Sequence, residues 1–381
     1  MPLTERTYDC IIVGAGPAGA SAAYQLSRKG HQVLLLEKAS LPRYKPCGGG
    51  VSPEIADWFD FSFEPVISQK VTRARYTWKL GEVIEADLET PIWMVRRNEF
   101  DHHIVKQAQA EGTVLRDNTK VVGIAFVGGR WQVTTHQNEI VEGQYLIAAD
   151  GGRGPMAKWL GFAERQTSIA GAIEIEPKLA VEDGHVVHFE FGLLKNGYVW
   201  NFPKSDGYSI GSGAFCTNQR KGRDLVQPMV DYAAAFGVDG ASEQKHGHPV
   251  CLWDGDQRLH AQNALLAGEA ACVVDPFTAE GIRPSIFTGV KAAEAIALAL
   301  QGDPTALADY SQLIATELGS EMRLAARVAK AFYTAPHLSY RAILHQPSAT
   351  RAMGKIFTGE LKYADMVHKA LRRLSGGLLS R

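Results

Sequence analysis

Residues 8–37 constrain the fold of this chain more than any other segment, because they combine an apolar strand, a glycine turn, a helix and a second strand. The turn carries Gly14, Gly16 and Gly19. In this pattern the first glycine permits a tight turn, the second lets a pyrophosphate approach, and the third lets the helix pack on the sheet. The segment therefore predicts a bound dinucleotide.

The helix expected from Pro17 to Lys29 begins with a proline, ends before Gly30 and directs its positive N-terminus at the phosphates. Glu37 stands at the end of the second strand, where a carboxylate can bind the adenosine ribose hydroxyls. The other residues assigned to this part of the dinucleotide site are Ala15, Ala18 and Lys38.

Composition excludes several classes of protein. The chain has 381 residues, 21% of them charged, and a net charge of −1, so no overall basic field attracts nucleic acid. Its start lacks an apolar leader, and no window approaches the roughly 18 apolar residues of a membrane span, so we expect a cytoplasmic protein. Five cysteines without ligand-like spacing predict neither a metal site nor a disulfide framework.

Segments of two different folds alternate along the chain. Residues 70–95 alternate around Gly81 as in a hairpin, residues 98–111 have helical spacing after a candidate cap at Asn98, and residues 120–147 resemble a meander. The interleaving predicts an α/β fold: a Rossmann-like dinucleotide-binding domain, an antiparallel-sheet substrate domain and a helical C-terminal region. Their expected boundaries are 1–70, 96–160 and 256–300 for the first domain, 71–95 and 161–255 for the second, and 301–381 for the third.

Two further motifs stand where a strand leaves a sheet. Residues 146–155 contain Asp150 and Gly151, and residues 265–282 begin with a short strand that leads to Gly268 and Glu269. A carboxylate at a strand end can accept hydrogen bonds from a ribityl hydroxyl, and free N–H groups at the next helix start can stabilise a reduced flavin. From the end of the third motif we assign Pro276, Gly281 and Ile282 to the cofactor site.

Together the three motifs resemble the FAD-binding set of hydroxybenzoate-hydroxylase-type flavoproteins. Glu269 stands where an aspartate is more usual, and its longer side chain should still reach a hydroxyl. The resemblance also implies cofactor contacts for Arg97 and Val121. For Arg97 the alternative is a solvent-exposed pair with Asp101 at i,i+4.

Two more segments resemble the geranylgeranyl reductase family. Residues 42–50, Pro-Arg-Tyr-Lys-Pro-Cys-Gly-Gly-Gly, are similar to its Pro-x-x-Lys-x-Cys-Gly-Gly loop, and residues 197–204 match its Tyr-x-Trp-x-Phe-Pro element. The resemblance implies that Cys47 and Gly48 lie at the flavin. One departure is Ala279, where family members commonly have glycine, and its methyl group is expected to alter the approach of the flavin.

The residues around Cys47 independently favour a catalytic role for it. Arg43 and Lys45 nearby favour thiolate, and the glycines leave the sulfur accessible. A buried cysteine at a tight turn is the alternative. On the strand at 197–204, alternation places three aromatic side chains on one face, which suits either substrate binding or an aromatic core. We assign Tyr198 and Trp200 to catalysis. The residues assigned to substrate binding are Tyr198, Trp200, Phe202 and Pro203.

The resemblance implies FAD-dependent reduction of isoprenoid C=C bonds, with hydride from flavin N5, on a geranylgeranyl-bearing lipid, quinone or pigment precursor. NAD(P)H or a small redox protein would supply electrons. A flavin-dependent hydroxylase or halogenase on the same scaffold is one alternative, because halogenases carry a similar Trp-x-Trp-x-Ile-Pro element. A prenyl-lipid binding protein with structural FAD is the other.

The tail at 369–381 combines arginines with leucines, which predicts reversible peripheral contact with a membrane. Gly376 and Gly377 argue against one continuous helix there, and a solvated C-terminus is the alternative.

Overall fold

The computed structural model describes residues 7–162, 169–214, 225–255, 257–341 and 345–378. The strands are β1 Tyr8–Val13, β2 Val33–Leu36, β3 Gly50–Val51, β4 Ile67–Trp78, β5 Glu82–Val95, β6 Val114–Arg116, β7 Val121–Val127, β8 Arg130–Thr135, β9 Ile140–Ala148, β10 Ile169–Ile175, β11 Val186–Phe191, β12 Gly197–Lys204, β13 Gly207–Ala214, β14 His246–Cys251, β15 His260–Ala261 and β16 Ala264–Leu266. The helices are α1 Pro17–Arg28, α2 Arg97–Ala110, α3 Met156–Trp159, α4 Val226–Ala234, α5 Ile282–Leu300, α6 Ala306–Ile314, α7 Ser320–Thr334, α8 Pro336–Ser339, α9 Pro347–Phe357 and α10 Tyr363–Leu378.

The first sheet is built around β1, a buried apolar strand that pairs in parallel with β2 and β9. Its strand order is β15-β16-β9-β1-β2-β6, with β7 and β8 attached through β9. Helices α1 and α5 cross so closely that a Cβ on Gly289 would lie only 2.2 Å from the Ala18 carbonyl oxygen. The parallel strands therefore end together beside the start of α1, which is where open α/β sheets bind ligands.

The second sheet has the order β14-β10-β13-β12-β11-β4-β5-β3. Its long hairpin, β4 and β5, turns at residues 79–81 as the alternation around Gly81 predicted. The sheet is not wholly antiparallel, because β11 pairs in parallel with β4. β3 lies inside the predicted 1–70 segment yet pairs with β5, so the loop at 42–50 physically joins the two sheets.

The C-terminal helices cover one face of the second sheet. Phe357 of α9 stacks on Phe189 of β11 with ring centroids 5.2 Å apart, and Phe332 of α7 packs against Phe191. Across the part of the chain that the structure describes, no helix is long and apolar enough to cross a membrane. Helices were expected in this region from sequence, and the structure shows α7 and α9 packing apolar side chains against the second sheet.

Several local expectations were wrong. Asn98 is not the cap of α2, which begins at Arg97 with Arg96 at the N-cap position. The meander predicted at 120–147 contains β7, β8 and β9, and its last strand runs one residue further, to Ala148. Helix α10 continues through Gly376 and Gly377 to Leu378. Residues 379–381 and the side chains of the tail leucines lie outside the described part.

Candidate active site

A cavity of about 1010 Å³ lies between the two sheets. It joins the sequence motifs into one site, since residues from all five of them line its wall. The residues assigned from sequence that line it are Gly14, Gly16, Pro17, Ala18, Glu37, Lys38, Cys47, Gly48, Arg97, Val121, Asp150, Gly151, Tyr198, Trp200, Phe202, Gly268, Glu269, Gly281 and Ile282. Four others are not part of the wall, namely Ala15, Gly19, Pro203 and Pro276.

The three glycines of the first turn differ in what surrounds them. A Cβ on Gly14, whose φ is +104°, would lie 2.3 Å from the Ala149 carbonyl oxygen, and one on Gly19 would lie 1.9 Å from the Gly14 carbonyl oxygen. A Cβ on Gly16 would meet only Arg43, at 3.7 Å. Gly14 and Gly19 are therefore required by backbone packing, whereas Gly16 leaves open a space above the uncapped start of α1. That space suits an anionic group such as a pyrophosphate.

Glu37 is buried and uses both carboxylate oxygens locally. Its Oε2 accepts a hydrogen bond from the Ala15 N–H at 2.9 Å, and its Oε1 accepts one from the Ala39 N–H at 3.1 Å. The Nε atom of Arg43 lies 3.4 Å from Oε2, while its NH1 lies 3.2 Å from Asp101. Glu37 thus fixes the phosphate turn, and its contact with a ribose stays a prediction.

Asp150 has one oxygen left over for a ligand. Its Oδ2 accepts a hydrogen bond from the Met156 N–H at 3.0 Å, whereas Oδ1 is buried without a hydrogen-bond partner among the described residues. Burial raises the pKa of this carboxyl to about 6. A buried acceptor without a donor is costly, so the site requires a donor such as a hydroxyl group. This requirement fits the sugar alcohol chain of a flavin dinucleotide.

Glu269 takes part in a cluster that sequence reasoning did not anticipate. Both of its carboxylate oxygens lie 3.2 Å from His248 Nε2, and Oε1 also accepts the Cys251 N–H at 3.1 Å. Lys45 Nζ lies 2.9 Å from the same Nε2, 3.1 Å from Nδ1 and 3.9 Å from Glu269 Oε2. Burial would raise the pKa of Glu269, but His248 and Lys45 bring it down to about 2. Glu269 is therefore a carboxylate that lies against both His248 and Lys45.

The start of α5 also differs from expectation. The sequence predicted free N–H groups there, but the Glu280 carboxylate accepts a hydrogen bond from the Arg283 N–H at 2.7 Å. Burial raises the pKa of Glu280 to about 7, against the opposing effect of Arg283. The neighbouring Ala279 has a φ of +59° and lines the cavity. That backbone conformation favours glycine, which is the common residue at this position in the family that the sequence resembles.

The loop carrying Cys47 is threaded between strands of the second sheet. Gly49 has a φ of +70°, and a Cβ on it would lie 2.1 Å from the Val95 carbonyl oxygen. A Cβ on Gly48 would lie 2.8 Å from the Phe202 ring. These glycines serve close packing rather than flexibility, and they bring the thiol against the aromatic strand.

Half-buried Cys47 interacts with Arg97 and with Lys45, so one of the two cations expected from sequence is near the sulfur. The Gly49 N–H lies 3.4 Å from Sγ, and the side chain of Arg97 contacts the sulfur. Arg97 also pairs with Asp101 through two 2.8 Å hydrogen bonds, so the i,i+4 pair exists but is buried. Burial lowers the pKa of Arg97, whereas Asp101 and Cys47 raise it above its usual range. Arg43 is directed away, toward Glu37 and Asp101.

The aromatic side chains of β12 form the cavity wall on the other side of Cys47. Tyr198, Trp200 and Phe202 share one face as alternation predicted, and all three line the cavity. Pro203 does not line it, because the next residue of a strand points to the opposite face. The hydroxyl of Tyr198 donates a hydrogen bond to the Thr278 carbonyl at 2.6 Å. These rings are therefore both packed core and ligand-facing wall.

The remaining cysteines are not exposed where they are described. Cys10, Cys251 and Cys272 are buried, and Cys216 lies outside the described residues. Among the described residues, no group of histidine, cysteine and carboxylate side chains is arranged to hold a metal ion. Sequence reasoning missed three polar residues in or beside the cavity, namely Glu174, Lys204 and His248.

Comparison with known proteins places this site in a class. The family described as FAD binding domain matches residues 7–207, so the chain belongs to that family and its cofactor is FAD. Two features agree with this cofactor: the Asp150 Oδ1, which lacks a hydrogen-bond partner among the described residues, and the open space at Gly16. The protein is an FAD-dependent oxidoreductase.

Whole-chain relatives narrow the class further. The chain is 30% identical to menaquinone reductase of Mycolicibacterium smegmatis, over 98% of this chain and 97% of the relative. It is 25% identical to digeranylgeranylglycerophospholipid reductase of Methanocaldococcus jannaschii, over 90% and 88%. The protein is a geranylgeranyl reductase-type flavoprotein, as its loop at 42–50 and its strand at 197–204 indicated.

Solved structures share the fold across both sheets. A geranylgeranyl bacteriochlorophyll reductase-like protein from Thermoplasma acidophilum superposes with a TM-score of 0.82 at 22% identity, covering 96% of this chain and 98% of that one. The flavin-dependent brominase Bmp2 superposes with a TM-score of 0.75 at 17% identity, covering 97% and 100%. At these identities the likeness shows the fold alone.

Proposed function

We propose that the protein reduces C=C double bonds in geranylgeranyl chains carried by a lipid or quinone. The observation that best supports this proposal is a single cavity in which the cofactor motifs, the Cys47 loop and an apolar wall meet. The wall is long and carries few polar groups, and its members are Ile92, Met94, Val187, Phe189, Trp200, Phe202, Val250 and Phe357. An isoprenoid chain is apolar along its length, so such a wall suits it better than a polar aromatic substrate.

The chemistry requires both a hydride and a proton. FAD, once reduced, supplies the hydride. An isolated trisubstituted alkene is not electrophilic, so protonation must accompany hydride delivery and build positive charge on the tertiary carbon. The rings of Tyr198 and Trp200 face the cavity, where an aromatic face can stabilise that charge. Burial among these side chains also excludes water, which would otherwise capture the cation.

Cys47 in its thiol form is the proposed proton donor among the side chains that line the cavity. Tyr198 is poorly suited to the role because its hydroxyl proton is already donated to Thr278 and burial raises its pKa well above the usual range. The Cys47 sulfur lies next to Arg97 and the glycines that contact Trp200 and Phe202. A water bound at the flavin is the other candidate.

Replacement of the thiol tests that role. Cys47→Ala should retain FAD and lower alkene reduction by about 10² to 10⁴, the range of general acid–base catalysis. Cys272→Ala is the matched control and should act through stability alone, since that thiol is buried and does not line the cavity. Near-normal prenyl reduction by Cys47→Ala would assign the proton to another donor.

The reaction itself is tested by anaerobic incubation of chemically reduced protein with a panel of geranylgeranyl compounds. Mass spectrometry should detect products heavier by one or more hydrogen pairs. The panel should include a geranylgeranyl phospholipid and a prenylated quinone, because relatives are named for substrates of both kinds. Unchanged masses throughout, with the flavin still reduced, would contradict the proposal and favour a prenyl-lipid binding protein with structural FAD.

A halogenase or hydroxylase is the second candidate, because the segment at 197–204 is similar to the Trp-x-Trp-x-Ile-Pro element of halogenases. Both of those chemistries consume oxygen, whereas alkene reduction does not. Product that forms only after air is admitted would therefore favour this candidate. We further propose that NAD(P)H or a small redox protein supplies the electrons and that the protein contacts membranes peripherally to reach its substrate.

A further inference from the structure

A buried carboxylate holds the loop that carries Cys47. Glu174 of β10 is only 2% exposed, and its Oε1 accepts hydrogen bonds from the Cys47 N–H and the Tyr44 hydroxyl, each at 2.7 Å. Its Oε2 accepts a third hydrogen bond from the Ser209 hydroxyl at 3.1 Å. Glu174 thus connects the loop to the second sheet on one side of the thiol.

A buried ammonium holds the same loop from the other side. Lys204 at the end of β12 is 1% exposed, and its Nζ donates a hydrogen bond to the Gly48 carbonyl at 2.7 Å. Glu174 fixes the N–H of Cys47 and Lys204 fixes the carbonyl of the next residue. The two contacts restrain the backbone from the Cys47 N–H to the Gly48 carbonyl, a stretch that includes the Cys47 Cα from which the thiol projects.

These two groups are expensive to bury. Neither forms an ion pair within 4.0 Å in the part of the chain that the structure describes. Burial raises the pKa of Glu174 to about 6 and lowers that of Lys204 to about 8. Buried charges cost several kcal/mol unless hydrogen bonds compensate, and departures from that rule concentrate at functional sites.

We propose that Glu174 is a positioning residue for Cys47, with Lys204 as its counterpart on the opposite side of the loop. The inference rests on the proposed function, in which the thiol serves alkene reduction. Glu174 acts as a hydrogen-bond acceptor that keeps Sγ between Arg97 and the Gly49 N–H. Without it the loop shifts, and the thiol becomes more open to solvent and misdirected toward the substrate.

Two substitutions at one position separate acceptor geometry from packing. Glu174→Met has similar length and no acceptor, whereas Glu174→Gln keeps an amide oxygen for the Cys47 N–H and the Tyr44 hydroxyl. Ser209→Ala is the control for the contact at Oε2, and it also removes the long 3.4 Å hydrogen bond that the Ser209 hydroxyl accepts from Trp200 Nε1. Each protein is compared at equal FAD content for the rate of Cys47 alkylation by iodoacetamide, followed by mass spectrometry, and for kcat and KM of prenyl reduction.

Glu174→Met should alkylate at least tenfold faster and lose about 10² in kcat with little change in KM, because a misplacement near 1 Å costs about that much. Glu174→Gln and Ser209→Ala should remain within a few-fold of the unaltered protein in both measurements. Unchanged alkylation in Glu174→Met, or equal damage by Gln and Met, would overturn the proposal. If Glu174→Met does not fold, Lys204→Met provides the same alkylation test from the other side of the loop.

Alkylation needs no prenyl substrate. If the unaltered protein reduces no prenyl chain but Glu174→Met still exposes the thiol, the proposed function fails and the positioning role stands.

Discussion

The ring of Phe202 lies directly over Gly48, so close that a Cβ on Gly48 would come within 2.8 Å of ring carbon Cδ2 and 3.1 Å of Trp200 Nε1. The loop that carries the thiol and the strand that forms the aromatic wall therefore fit each other without space for a methyl group. This contact sets the distance between Cys47 and the apolar wall.

Gly48→Ala should disturb that fit without removing any catalytic group. We expect kcat for prenyl reduction to fall by about 10², because a shift near 1 Å at a reacting centre has that effect. Overpacking should also lower the free energy of unfolding by about 1–3 kcal/mol. Gly123→Ala is the control, since its Cβ would meet its nearest neighbour at an ordinary 3.9 Å. Equal kcat in the two variants would show that the contact does not position the loop.

Ala279→Gly should stabilise the protein. The φ of +59° at Ala279 costs a residue with a Cβ about 1–2 kcal/mol, which exceeds the entropic cost of adding a glycine. The free energy of unfolding should rise by about 0.5–1 kcal/mol in denaturant titrations. Ala292→Gly, in the regular part of α5, should instead lower it by about 1 kcal/mol. A loss of stability in both variants would contradict the strain at Ala279.

Gly16→Val should leave mostly colourless but folded protein. Its side chain would extend into the space where the pyrophosphate is expected, and its Cβ would meet no protein atom closer than 3.7 Å. Gly14→Val would be less informative, because its Cβ would strike the Ala149 carbonyl rather than the ligand. Flavin content per protein and circular dichroism measure the two effects separately. Full flavin occupancy in folded Gly16→Val would contradict the assigned cofactor position.

Glu280 should make stability depend on pH. Its pKa is raised from the model-peptide value of 4.5 to about 7, so the native state holds a proton that the unfolded state has released between those values. The stabilisation of the folded protein by protonated Glu280 is therefore complete below about pH 4.5, and it is lost as the pH rises through 7. The stability difference between the unaltered protein and Glu280→Gln should decline by about 1–3 kcal/mol over this window in urea titrations. A constant difference would show that Glu280 is ionised throughout.

The elements that local patterns specify were predictable from sequence. The helix expected from Pro17 to Lys29 is α1, Pro17–Arg28, and alternation around Gly81 predicted the first hairpin. The cap of α2 was wrong because Asn98 was chosen for its side chain alone. Arg96 occupies that position with extended backbone and no side-chain cap, so residue type carried no signal.

The polar residues around Cys47 could not be predicted in the same way. Glu174 and His248 lie on strands more than 120 residues beyond the loop, and sheet pairing rather than sequence spacing brings them to it. Arg43 and Lys45 are neighbours in sequence but are directed to different partners. A local motif thus predicted the cysteine loop, while its electrostatic surroundings depended on the topology of the second sheet.

The most direct test of prenyl reduction is an anaerobic single turnover. Protein with fully reduced FAD is mixed with one equivalent of a geranylgeranyl lipid or prenylated quinone, while flavin absorbance and product mass are followed together. The account predicts one double bond reduced for each flavin oxidised, at the same rate and without oxygen. Flavin that stays reduced until air is admitted, with no hydrogen added to the chain, would contradict it.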